Sequence, residues 1–174
     1  TCSGEPVPDY ERGLTGRIKG LKIGVPTSYY YDGATPDIRR CMQQSLDVLK
    51  SLGARVIKVA VPDVHRMFHL SNVISQAEAA TIHARWLRER PQDYSIWGAR
   101  IVPGLFIPAV SYLEAQNARP RLTREFVDQV FTKVDVLHAP VFAMPVPTIA
   151  ETVPGASDDV VAIHARLSRN NRPA

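Results

Sequence analysis

The chain has 174 residues, of which 45% are hydrophobic and 22% charged, and its net charge is +4 at neutral pH. This composition suits one globular core and excludes a low-complexity or disordered chain. Basic residues are scattered, and no aromatic side chain stands within the densest group, Arg119, Arg121 and Arg124, so no nucleic-acid partner is predicted. No apolar run reaches the roughly 18 residues of a membrane span, so no membrane partner is predicted either.

Cysteine usage and the opening residues indicate a reduced, cytoplasmic setting. Cys2 and Cys41 are too few for a disulfide framework. Cys41 falls on the apolar face of a predicted helix, where we interpret it as a small core residue. Residues 1–16 are polar, contain several prolines and glycines, and lack the character of a signal peptide. We interpret them as an extended linker arm before a single α/β domain at residues 17–174.

The clearest local pattern is a strand, a helix and a second strand. Residues 21–25 form a short apolar run that Pro26 ends. Thr35 then precedes a proline, which predicts a helix with the threonine hydroxyl as its N-cap, and Gly53 ends that helix as a left-handed cap. Residues 55–61 form the second strand. Such a βαβ unit requires two parallel strands, so the predicted fold is α/β, with a parallel or mixed sheet built on this unit and flanking helices.

The remaining elements are predicted from caps, prolines and periodicity. Asp63 starts a long helix with an alanine-rich face, ending near Arg90, and an irregular segment follows at residues 92–108. Further helices are expected at residues 109–133, where Pro120 should kink or split the helix, and from Asp158 to about Ser168. Residues 169–174 close no element, and we expect both termini to be cut from something longer.

The third strand carries the first candidate site residue. It lies within residues 134–140 and leads into a loop spaced by Pro140, Pro145 and Pro147, which cannot continue a central strand. Binding sites of α/β sheets lie where strands end in this way. His138 stands at that end. Because no carboxylate or nucleophile adjoins it in sequence, we interpret it as a pocket-lining residue and not as a general base.

Other candidate residues have two interpretations each. His65 and His69 have metal-ligand spacing, but Arg66 stands where a metalloprotease helix needs glutamate, so we predict two solvated histidines and no metal. Glu78 is either a buried acid or a residue that reaches solvent. Arg100 follows Trp97-Gly98 and either binds a carboxylate or clamps a helix end. No glycine-rich phosphate loop or Gly-x-Ser-x-Gly elbow is present, and no cofactor is predicted.

Three blocks together resemble the amidase signature family. They read Leu-Lys-Ile-Gly-Val-Pro at residues 21–26, Glu-Ala-Ala-Thr-Ile-His-Ala-Arg-Trp-Leu at 78–87, and Asp-Val-Leu-His-Ala-Pro at 135–140, which continues to Pro-Thr-Ile-Ala-Glu at 147–151. Residues 167–173 resemble the lead into that family's following Asn-Tyr-Leu-Gly-Leu-Pro segment. The likeness covers nearly the whole chain, and the order and spacing of the blocks make it specific.

The resemblance implies a partial amidase-signature fold from a family of amidohydrolases and amidotransferase A subunits. These proteins cleave amide C–N bonds with a serine nucleophile, a second serine in a cis peptide and a lysine base, in segments that precede the part matched here. No position in this chain matches those residues, so no catalytic residue is predicted. The chain should instead complete the sheet and form walls of the pocket for a small-molecule amide. It should be inactive alone.

The same resemblance bears on substrate binding. Arg100 falls near an arginine that binds the substrate carboxylate in the A subunits, so Arg100 and His138 are the predicted substrate-binding residues. Ser168 falls near that family's pocket aspartate, which favours a general amidase over the A subunit of a glutamine-dependent tRNA amidotransferase. A stand-alone α/β module that binds a small molecule is the other alternative. A homodimer through an exposed sheet edge or apolar face is a further expectation.

Overall fold

A computed structural model describes residues 4–94, 98–153, 155 and 159–171, and a parallel three-stranded sheet is its centre. The strands are β1 (Lys22–Pro26), β2 (Arg55–Val59) and β3 (Val136–Leu137), in the order β2-β1-β3. Both neighbours of β1 run parallel to it. The predicted α/β class is therefore confirmed, and the parallel alternative is the one observed.

The segment before the sheet is exposed throughout residues 4–16. The sequence predicted an extended arm, but residues Tyr10–Gly13 form one helical turn, α1. Asp9 stabilises this turn, since its carboxylate accepts a hydrogen bond from the backbone N–H of Arg12 at 3.0 Å.

The crossover helix α2 (Pro36–Ser51) joins β1 to β2 as predicted, with Pro36 in its first turn. The predicted hydroxyl cap is wrong, because the side chain of Thr35 makes no capping hydrogen bond and its buried oxygen has no partner among the described residues. At the other end Gly53 is left-handed, with φ of +90°. The backbone N–H of Ala54 reaches the carbonyl of Leu49 at 3.1 Å, which is the Schellman arrangement expected of a glycine there.

The apolar face of α2 packs on the sheet through Leu46, which contacts Ile23 and Ala54. Cys41 is exposed, so its interpretation as a core residue is wrong. The reason is angular: Cys41 lies five residues before Leu46, which places it about 140° away around the helix.

The second long helix, α3 (Val64–Glu89), begins as predicted at Asp63, whose carboxylate accepts from the N–H of Arg66 at 3.0 Å. After a 3-10 turn at Pro91–Asp93, the segment predicted to be irregular contains two further short helical turns, α4 (Gly98–Ile101) and a 3-10 turn at Val102–Phe106. Both turns pack against α3. The small side chains of α3 allow this approach, and Gly104 rests directly on the turn of α3 that carries Ala80.

The next helix, α5 (Ala109–Phe126), is continuous through Pro120, so a split there is wrong. Proline removes a single backbone donor, and Ala115 and Leu122 on either side are buried, so packing holds the helix together. The irregularity comes later, as a π-helical turn at Val127–Phe131. No helix in the described ranges is long and apolar enough to cross a membrane.

Three short elements lie at the end of the described part of the chain. They are α6 (Ile149–Thr152), α7 (Val160–Ser168) and a 3-10 turn at Arg169–Asn171, called the C-terminal turn below. The predicted start of the last helix at Asp158 lies outside the described residues. The prediction that residues 169–174 close no element is wrong for the described part, since three of them form this turn.

The core has one cluster on each face of β1. Ile23 points to α2, and its neighbour Gly24 therefore faces the other side, toward Val59, Val130 and Val134. A β-carbon on Gly24 would lie 2.8 Å from a methyl of Val134. Because Gly24 has no side chain, the second cluster packs directly against the backbone of β1.

We predict that Gly104→Ala destabilises the chain by about 2–3 kcal/mol. The added methyl would overlap the carbonyl oxygen of Gln76, a main-chain atom of α3 that cannot rotate away. Gly13→Ala is the matched control, since no atom of the described residues lies within 4 Å of its β-carbon position. Urea denaturation measures both, and equal midpoints for the two variants would contradict the close packing described above.

Candidate functional site

His138 lies at the carboxyl end of β3, where the sequence predicted a pocket residue. Its backbone N–H donates to the carbonyl of Gly24 at 2.8 Å, so the residue extends the ladder one step beyond β3. The half-buried ring is held from two sides. Nδ1 lies 3.2 Å from the hydroxyl of Tyr31, and Nε2 lies 3.1 Å from the hydroxyl of Ser45 on α2. These contacts hold the imidazole in one orientation at the end of the sheet.

One arrangement of protons satisfies this whole group. The hydroxyl of Tyr31 donates to the carbonyl of His138 at 3.3 Å, Nδ1–H donates to the Tyr31 oxygen, and Nε2 accepts from Ser45. Burial lowers the pKa of His138, although its backbone hydrogen bond opposes that shift, so the neutral ring is favoured. The sequence showed no nucleophile beside His138, but the fold places the hydroxyl of Ser45 there.

Tyr29 anchors the turn that follows β1. It is the one described non-glycine residue with a left-handed backbone, at φ of +67°, yet it is 4% exposed. The carboxylate of Asp32 accepts from its N–H at 2.9 Å, and the ring of His65 packs edge-on at 4.9 Å. The guanidinium of Arg169 stacks 4.3 Å from the centre of the Tyr29 ring, and the Tyr29 hydroxyl donates to the Arg169 carbonyl. Packing on all sides thus offsets the backbone strain.

Asn170 joins three separate segments. Its side-chain amide donates to the carbonyl of Tyr30 at 2.9 Å and to that of Pro140 at 2.8 Å. Arg169 beside it donates to the carbonyl of Asp32 at 3.0 Å. The C-terminal turn therefore holds both the turn at residues 29–33 after β1, called the aromatic turn below, and the proline loop at residues 140–147 after β3. Sequence reasoning missed this role because both partners are backbone carbonyls, which no side-chain motif reveals.

Arg100, the second predicted binding residue, is on another element. It is half-buried on α4, which packs against α3, whereas the contacts of His138 go to Tyr31 and Ser45. The structure describes no contact between Arg100 and His138, and their shared role in a pocket stays a prediction.

The remaining singled-out residues lie on the surface. Glu78 is exposed, so its interpretation as a buried acid is wrong. His65 and His69 are also exposed, and each packs against an aromatic ring, Tyr29 and Phe68 respectively. Within the described ranges, no three histidine, cysteine or acidic side chains are grouped so as to hold a metal ion.

A cavity of about 230 Å³ lies between α3 and α5, and sequence reasoning did not find it. Apolar, hydroxyl and charged side chains from both helices line it: Met67, Leu70, Ser71, Ile74, Ser75, Glu78, Arg119, Leu122 and Thr123. The six α3 positions recur at three- and four-residue spacing, which indicates one helix face.

Comparison with known proteins identifies the family. The amidase family model matches residues 1–168, and the chain belongs to that family. Among its relatives, an amidase of Pseudomonas putida is 35% identical over 86% of this chain. The A subunit of the glutamyl-tRNA(Gln) amidotransferase of Roseiflexus sp. (strain RS-1) is 32% identical over 94% of it. The chain spans 32% and 38% of these two relatives, about a third of their length.

Solved structures agree with this assignment. One is a chain from an inhibitor-bound vestigial protein complex that reveals the evolutionary origins of an s-triazine catabolic enzyme. It superposes with a TM-score of 0.74 at 30% identity, over 85% of this chain and 32% of its own. A crystal structure of an amidase superposes with a TM-score of 0.69 at 25% identity, over 76% of this chain and 30% of its own. The fold described above is therefore that of the corresponding part of an amidase.

Acidification should destabilise the chain through His138. Its pKa in the folded protein is below the usual 6.5, so the unfolded chain binds the proton more readily. The stability contributed by the neutral ring is present above pH 6.5 and is lost as the pH falls toward the lower folded pKa. The melting temperature measured between pH 7.5 and 5.5 should fall less for His138→Gln than for the wild type. The control His69→Gln, at an exposed position, should follow the wild type, and parallel curves for all three proteins would contradict the prediction.

Asn170→Asp should lower the free energy of unfolding by about 1–3 kcal/mol. The substitution keeps the shape but replaces two N–H donors with oxygen, which then faces the carbonyls of Tyr30 and Pro140. Asn171→Asp makes the same chemical change at an exposed neighbour and should have little effect. Chemical denaturation compares the two variants. Equal loss in both would mean that charge, and not the lost donors, is responsible.

Proposed function

We propose that this chain forms the C-terminal part of an amidase-signature hydrolase of amide C–N bonds. In this role it completes the sheet and supplies walls of the substrate pocket, with Arg100 and His138 directed to the substrate. The observation that carries the proposal is the family match over residues 1–168, supported by a relative that is itself an amidase.

The geometry around His138 supports a binding role. The residue lies at the carboxyl ends of β1 and β3, where α/β sheets place their ligands. Tyr31 and Ser45 fix the orientation of the His138 ring, and burial lowers its pKa, so the ring is held neutral in one orientation. Both ring nitrogens are used by these two partners, so the ring would line the pocket as an uncharged wall of fixed orientation. Arg100 would complement it with a fork of donors suited to a carboxylate on the substrate.

The proposed chemistry comes from outside these residues. Amide hydrolysis needs an activated nucleophile, a base and donors for the oxyanion. The family resemblance assigns these roles to two serines and a lysine, and no position among the 174 residues matches them. The chain by itself would then bind and shape a pocket without performing the reaction.

The isolated chain should show no turnover of aryl or alkyl amides. A chromogenic anilide assay, run beside the Pseudomonas putida amidase as a positive control, measures this. Ser45→Ala is the decisive companion variant, because Ser45 is the hydroxyl that contacts His138. If the wild-type chain hydrolyses amides and Ser45→Ala abolishes that activity, the proposed division of roles is wrong.

The role of Arg100 can be tested in a fusion of this chain to the portion of the Pseudomonas putida amidase that it does not match. Arg100→Lys keeps the charge but removes the planar fork, so KM should rise about tenfold for amides that carry a carboxylate and stay unchanged for neutral ones. Arg88→Lys, an exposed position on α3, is the matched control. Equal changes for both substrate types would contradict the carboxylate-binding role.

A second candidate function is that of the A subunit of an amidotransferase. The Roseiflexus protein matches 94% of the chain, a larger share than the amidase relative matches. Ser168, however, stands near the position of that family's pocket aspartate, and its hydroxyl donates to the carbonyl of His164 within α7. Glutamine hydrolysis by the same fusion would favour this candidate over a general amidase.

Two expectations about the setting stay predictions. One is a reduced, cytoplasmic location. The other is a homodimer, for which the outer edge of β3 is the proposed contact, since Val136 is 42% exposed there.

A further inference from the structure

We propose that the cavity between α3 and α5 binds a small zwitterion with an apolar body, the chemistry of an apolar α-amino acid. The inference goes beyond the proposed function, because it uses neither Arg100 nor His138 and does not require amide hydrolysis. It rests on the charges, the lining and the size of the cavity.

The acidic group of the cavity is the carboxylate of Glu78. One of its oxygens is held by hydrogen bonds, and the other is open. Oε1 of Glu78 accepts from the hydroxyl of Tyr112 at 3.2 Å and from the amide of Gln116 at 3.3 Å. Gln116 also donates to the Tyr112 oxygen at 2.8 Å, which closes the group. Oε2 has no hydrogen bond within the described part of the chain. An ammonium group can bind such an open carboxylate oxygen through a charge-assisted hydrogen bond.

The basic end is the guanidinium of Arg119, one turn along α5 from Gln116. Arg119 lines the same cavity as Glu78, but the two side chains form no ion pair, and Arg119 has no hydrogen-bond partner among residues 4–94, 98–153, 155 and 159–171. An exposed pair of this kind gains little from direct contact. Both charges are therefore available, and a ligand that carries both signs can contact each.

Four of the lining side chains are apolar, and they are called the floor of the cavity below. Ile74 and Leu122 are 7% and 6% exposed, and Met67 and Leu70 extend the same surface. The volume of about 230 Å³ is below the range of roughly 300–1,000 Å³ of pockets for drug-sized ligands. The space therefore suits a ligand of amino-acid size, whose aliphatic side chain covers the floor while its two charges remain at the rim.

A ligand with both charges satisfies this lining better than simpler ligands do. An aliphatic carboxylate would pair with Arg119 but place a second negative charge near Glu78. An aliphatic amine would pair with Glu78 but place a second positive charge near Arg119. A neutral apolar molecule would cover the floor and leave Oε2 of Glu78 and the guanidinium of Arg119 to solvent.

Three matched probes separate these possibilities by isothermal titration calorimetry on the full chain. L-leucine carries both charges, L-leucinamide keeps the ammonium alone, and 4-methylpentanoate keeps the carboxylate alone on the same aliphatic body. Leucine should bind about tenfold more tightly than either analogue, as expected for one additional charge-assisted contact.

Two variants should divide the probes in opposite ways. Glu78→Gln should weaken leucine and leucinamide about tenfold and leave 4-methylpentanoate unchanged or slightly tighter. Arg119→Gln should weaken leucine and 4-methylpentanoate and spare leucinamide. Arg121→Gln and Glu114→Gln change exposed charges on α5 that do not line the cavity, and they should alter none of the three affinities.

Ser75→Phe provides an independent test, because it fills the cavity from an exposed position whose hydroxyl, in the part of the chain that the structure describes, bonds only within α3. It should abolish binding of all three probes while the far-ultraviolet circular dichroism stays that of the wild type. The proposal is overturned if leucine does not bind the wild-type chain, if the three probes bind equally, or if Arg121→Gln weakens leucine as much as Arg119→Gln does. None of these outcomes depends on the amide assay, so this inference and the proposed function can fail separately.

Discussion

The absence of a side chain at Gly24 is the constraint on which both the core and the site depend. A β-carbon there would lie 2.8 Å from Val134, 2.9 Å from Leu137 and 3.1 Å from Val59. Val59 belongs to β2, Leu137 belongs to β3, and Val134 leads into β3. Side chains from both outer strands therefore pack against the central strand at Gly24. The carbonyl of the same residue accepts from the N–H of His138. The close contact that completes the core thus also fixes where the chain leaves the sheet.

The end of the sheet is held mainly through main-chain atoms. The aromatic turn, the proline loop and the C-terminal turn come from distant parts of the sequence and meet through carbonyl groups that accept from Asn170 and Arg169. This way of holding a site tolerates change in the residues that supply the carbonyls. It depends strictly on the few side chains that supply donors, and on Tyr29, whose left-handed backbone is kept by the packing around it.

Local signals were sufficient to predict the βαβ unit and the position of His138. Pro26, Gly53 and Asp63 each act on the backbone within a few residues, so their effects can be inferred without knowledge of the fold. Predictions failed where tertiary packing decides. Pro120 does not split α5 because its neighbours are buried. The hydroxyl of Thr35 does not cap α2, although the helix begins where that residue predicted.

The part of the site that sequence reasoning missed depends on distant contacts. Tyr31 and His138 are 107 residues apart, and Asn170 lies 140 residues from Tyr30. The cavity between α3 and α5 has the same origin. Each helix alone shows an ordinary mixture of apolar and charged positions, and only the packing of the two places Glu78 and Arg119 around one apolar floor.

The strand order has a consequence for how the chain acquires this structure. The pairing of β1 with β2 joins Lys22 to Arg55, whereas the contact of Lys22 with Asp135 next to β3 closes a loop of 113 residues. Loop closure costs about 0.6 kcal/mol more for each doubling of length, so the second contact is about 1 kcal/mol more expensive in chain entropy. The βαβ unit is therefore the natural first unit to form, and β3, with the proline loop behind it, docks onto a strand that is already in place.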